Sequence, residues 1–108
     1  MRVELLYRDG DASVMDVRQR LVEVLTEDAF ETAIQLIAVQ TDADAELLGM
    51  RGTPTVRIDG TDIDPDWDGP MGLQARDYGD GQLPARSLIR RAIERARGWG
   101  HGRVRDAG

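Results

Sequence analysis

The densest run of side chains able to ligate or move a proton is Asp64-Pro65-Asp66-Trp67-Asp68-Gly69, the first half of a calcium loop of the form D-x-D-x-D-G. The match breaks at its twelfth position, where Ala75 stands instead of a bidentate glutamate, and a hairpin pattern precedes it instead of a helix. The run therefore reads as a solvated acidic turn, and no metal is expected. The chain has no cysteine, which removes disulfides, thiolate nucleophiles, zinc–thiolate sites and iron–sulfur ligation together. All 14 basic residues are arginine, so a Schiff-base or P-loop lysine is impossible. His101 is the one histidine and sits in a glycine-rich tail, without a partner for a multi-histidine metal site or a Ser-His pair. Acid–base chemistry is left to carboxylates, tyrosines and that imidazole. No cofactor is expected.

These residues must be held by a small frame. A chain of 108 residues, 41% hydrophobic, supports one core and not two. A net charge of −6 opposes a partner gripped through phosphates, so no nucleic acid is expected. The opening Met1-Arg2-Val3-Glu4-Leu5-Leu6-Tyr7 carries an acid within a short apolar run, which fits neither a signal peptide nor a membrane span; a cytoplasmic protein with no membrane partner is expected.

Residues 2–7 read as a mostly buried strand, followed by a turn at Arg8-Asp9-Gly10-Asp11. From Ser13, an N-cap candidate, Val14, Val17, Leu21, Val24 and Leu25 recur on one helical face. The apolar run 33–39 predicts the central strand, covered on both faces. Thr41-Asp42 opens a second helix that stops at Gly49. Residues 54–58 and 61–63 around Asp59-Gly60 form a hairpin. Residues 64–82 are a long loop, of a length that is functional or mobile more often than idle. Residues 84–97 close the fold as a helix with Leu88, Ile89, Ala92, Ile93 and Ala96 inward. The order β-α-β-α-β-β-α gives an α/β fold with a mixed four-stranded sheet covered by helices.

That order, with Arg51-Gly52-Thr53-Pro54-Thr55, resembles the thioredoxin-like superfamily, whose members carry a cis-proline just before the third strand, here Pro54. More closely, Val3-Glu4-Leu5-Leu6-Tyr7, the segment Leu48 to Val56 and Ile58-Asp59-Gly60 are similar to small bacterial thioredoxin-like proteins labelled as relatives of alkylmercury lyase. The resemblance implies a thioredoxin-like domain over residues 1–97, with 98–108 a glycine-rich tail. Its thiol positions are occupied here by Gly10-Asp11-Ala12-Ser13-Val14 and Ala75-Arg76-Asp77-Tyr78. The redox role and mercury–carbon cleavage are thereby both excluded.

What the resemblance implies is a cleft beside Thr53-Pro54 whose backbone groups pair with an extended ligand, under the loop 64–82. The leading expectation is a non-redox protein binding a small organic molecule or a partner segment there, lined by Tyr7, Asp11, Ser13, Thr53, Pro54, Trp67, Asp77 and Tyr78. Asp11 stands at the nucleophile's position as a general base, a cation holder or simply a helix cap. Trp67, Met71, Leu73 and Tyr78 either cover an organic ligand or a partner surface or fold back to seal the sheet edge. A second expectation is a cofactor-free isomerase, cyclase or hydrolase using Asp11, Asp77 and Tyr78, which requires the two carboxylates to meet in a pocket. A third is a structural or regulatory homodimer built on an exposed sheet edge or the arginine-rich last helix.

Overall fold

The computed structural model describes residues 1–27, 32–79 and 81–98. The expectations that fall on Trp99, His101 and the rest of the tail lie outside the described residues. β1 (Val3–Arg8), α1 (Val14–Glu27), β2 (Ile34–Val39) and α2 (Asp42–Leu48) are followed by β3 (Arg51–Thr53), β4 (Thr55–Ile58), β5 (Thr61–Asp62), β6 (Gly72–Ala75) and α3 (Arg86–Arg97). The chain is thus α/β, with a mixed four-stranded sheet and three helices. The sheet runs β2-β1-β4-β5, with β2 parallel to β1 and β4 and β5 each antiparallel to its neighbour. Among the described residues no helix is long and apolar enough to cross a membrane.

Local chemistry explains the boundaries. Thr41 accepts the Asp44 N–H at 3.1 Å and caps α2, while Gly49, at φ 68°, ends it in the left-handed region. Asp59, at φ 52°, and Gly60, at φ 83°, turn the β4–β5 hairpin. One core lies between the sheet and the α1–α3 layer, built from Val3, Leu5, Leu21, Val56, Ile89 and Ile93 among others. A smaller one, Leu6, Val39, Ala45 and Met50, lies on the opposite face.

The structure corrects two sequence expectations. β2 is not the central strand; it is an edge, and β1 takes the centre. An apolar run distinguishes a buried strand from a loop but carries no information on how many neighbours the strand has. Leu36 is 42% exposed and Gln35 and Ala38 are exposed. The second correction concerns residues 64–82, which are not one unstructured loop: β6 lies within them and pairs in parallel with β3, through an irregular register.

Candidate functional site

Asp11 lies in the turn ahead of α1 and is 6% exposed. Its Oδ1 accepts the Ser13 N–H at 2.8 Å and the Ser13 hydroxyl at 2.7 Å. Its Oδ2 accepts the Thr53 hydroxyl at 2.6 Å and the Gln82 amide at 3.5 Å. An ionised carboxylate has about four lone-pair positions, and all are taken. Burial pushes the carboxyl up, but the bonds from Thr53 and Ser13, with the charge of Arg8, outweigh it and hold Asp11 below the usual carboxylate value. Such a group is an ionised staple and not a base near neutrality. Ser13, expected as a cap, accepts the Val17 N–H with its carbonyl at 3.0 Å and donates its hydroxyl proton to Asp11.

Thr53 is the hub of this cluster. Its hydroxyl oxygen also accepts the Arg8 N–H at 2.9 Å, and its carbonyl accepts both the Arg76 N–H at 3.0 Å and the Gln82 amide at 2.8 Å. The Thr53–Pro54 peptide bond is cis, and the Pro54 carbonyl accepts the Tyr78 hydroxyl at 2.7 Å. The carbonyls at which an extended ligand would pair are therefore occupied by the chain itself.

Arg76, for which the sequence raises no expectation, organises the other half. Its residue exposure is 1%, and Nη1 and Nη2 hold the Asp62 carboxylate in a two-pronged bond at 2.7 and 2.9 Å. Nη2 also donates to the Asp64 carbonyl at 3.1 Å. The guanidinium carbon lies 4.6 Å from the Trp67 ring centre and 4.7 Å from that of Tyr78, within cation–π range of both. Nε is the guanidinium nitrogen without a hydrogen-bond partner. Gly52, at φ 82°, admits this packing, because a Cβ there would lie 2.8 Å from Arg76 Cβ. Trp67 in turn lies flat over Gly69, where a Cβ would come within 1.9 Å of the ring.

The ring faces of Trp67 and Tyr78 thus close on Arg76 and anchor the segment after β5. Burial, aided by Asp62 and Asp64 and opposed by Arg76, pushes the Tyr78 phenol well above its ordinary value. Asp77 stands apart: it is exposed and its carboxylate accepts the Gly79 N–H at 2.8 Å. Asp11 is buried and Asp77 exposed, and no described hydrogen bond joins them. Tyr7 is half-buried on β1, outside both bonded clusters. Among the described residues no group of three or more acids or histidines could hold a metal ion. The sequence signal for Arg76 is its isolation: one cation among Asp62, Asp64, Asp66, Asp68 and Asp77, with Trp67 and Tyr78 nearby.

Comparison with protein-family models, with curated proteins and with solved structures found no match to this chain.

Proposed function

We propose that this chain is a cysteine-less, non-redox domain of the thioredoxin-like kind that binds a partner segment, and that the open edge of β2 is where it binds. The family reading is supported by the parallel β1–β2 pair joined across α1, by the hairpin antiparallel to β1, and by the cis bond at Pro54 ahead of β4. The binding reading rests on one observation above the others. Asp11 and the Thr53 and Pro54 carbonyls, on which chemistry or strand addition was expected, are hydrogen-bonded within the chain, whereas β2 pairs with β1 alone among the described residues.

β2 reads Ile34-Gln35-Leu36-Ile37-Ala38-Val39, six residues with no charge, no proline and an unbroken register. Sheet edges are ordinarily protected by charge, proline, bulges or shortness. The opposite edge is protected in this way, since β5 is two residues long and its Asp62 is tied to Arg76. Extended segments bind such open edges through main-chain hydrogen bonds, with alternate side chains giving selectivity.

A second reading keeps a small organic molecule or partner segment beside Thr53-Pro54. It is favoured by the Gln82 carboxamide, a half-buried cover on Thr53 that a ligand amide could replace. Native mass spectrometry of the chain exposed to extract of its source cells separates the two. An adduct lost in Leu36→Lys and kept in Gln82→Ala supports the edge. The reverse pattern supports the cleft, and an adduct indifferent to both variants contradicts both.

A further inference from the structure

The geometry points to a second copy of this chain as the strand that completes β2, in a two-fold antiparallel pair centred on Leu36; this rests on reading β2 as the working edge. The Val39 carbonyl accepts the Asp9 N–H at 3.3 Å, so Val39 presents its backbone groups toward β1. Neighbouring residues of a strand present theirs to opposite sides, so Gln35 and Ile37 also face β1, while Ile34, Leu36 and Ala38 face outward. A two-fold axis through Leu36 sets Leu36 opposite its own copy and Ile34 opposite Ala38 of the other chain. Every outward N–H and C=O then has a partner, about six bonds in all. The pairing residues are those with apolar side chains on one face of the strand, so the register is set by both backbone and side chains.

The two ends of β2 differ in a way that suits this pairing. A groove at its start is lined by Met1, Arg2 and Thr32, and one at its finish by Asp44 and Leu47. Antiparallel pairing brings the end carrying Arg2, largely exposed and paired with Glu4 at 3.8 Å, to the end carrying the exposed Asp44, twice by symmetry. Leu47, 86% exposed, gains apolar surroundings at the same end. A parallel partner would set like ends together and forgo the exchange.

The absence of cysteine supplies a clean test. In a hydrogen-bonded antiparallel pair, opposed Cα atoms lie about 5.5 Å apart, within disulfide reach. Sedimentation equilibrium of the wild-type chain is expected to give twice the chain mass, and Leu36→Lys the single mass with an unchanged circular dichroism spectrum. Under mild oxidation Leu36→Cys is expected to link into a covalent dimer several-fold faster than Met15→Cys, which carries its thiol on α1. A wild-type chain that stays monomeric at every concentration, with no preferential linking of Leu36→Cys, overturns the second copy while leaving β2 open to another partner. A dimer that survives Leu36→Lys and does not link through Leu36→Cys places self-association elsewhere and likewise overturns the second copy at β2.

Discussion

Thr53 donates its hydroxyl to Asp11 Oδ2 at 2.6 Å, across 42 positions of sequence. The bond ties the turn before α1 to the residue before Pro54, and Ser13 and Gln82 complete it. A carboxylate so placed positions two elements. Its value to the fold lies in being charged and fully bonded.

Asp11 titrates accordingly. Its folded value lies below its unfolded one, so its stabilisation is present above the unfolded value and is lost as pH falls through the folded value. Urea unfolding between pH 7 and about pH 3 is expected to show an acid-dependent loss that is diminished in Asp11→Asn. Asp11→Ala is expected to cost about 2–3 kcal/mol at pH 7, because Thr53 loses a charged acceptor in a buried position.

Arg76 and Asp62 form the second tie. Arg76→Ala leaves the half-buried carboxylate of Asp62 without its partner and removes the cation between the two rings, with an expected loss of about 3–5 kcal/mol in chemical unfolding. In a Trp99→Phe background the remaining emission comes from Trp67. It is expected to shift to longer wavelength in Arg76→Ala at native conditions. An unshifted emission would mean that the ring is held without the cation.

Tyr78 gives an alkaline counterpart. Its folded value is raised above the unfolded one, so the associated stability is intact below about pH 10 and falls as pH rises beyond it. Ultraviolet titration is expected to find a phenol that ionises only with unfolding, and Tyr78→Phe to remove that step. The same change deletes the bond to the Pro54 carbonyl and is expected to lower stability by about 1 kcal/mol.

Much of the frame was legible because it is written locally. Thr41 and Gly49 bound α2, Asp59-Gly60 marks the hairpin, and the stripe Ile89, Ala92, Ile93 marks the inner face of α3. Asp11 was legible as a group near a helix start, but not its bond to Thr53, which depends on tertiary placement. The uncharged run 34–39 carries none of the residues that usually mark an edge and so reads as a central strand, yet tertiary pairing gives it one neighbour. Arg76 is not legible in sequence because a buried cation is recognised by its partners, and Asp62 meets it only once β6 lies on β3.

The central claim, that the outer edge of β2 is the open working surface, is tested most directly by residue-resolved amide hydrogen exchange in dilute and concentrated protein. Leu36 and Ala38 are expected to exchange freely when dilute and at least about tenfold more slowly when concentrated, with Ile37, bonded to β1, slow throughout. Leu36 and Ala38 as protected as Ile37 in dilute solution would mean that the chain covers its own edge, and would contradict the account.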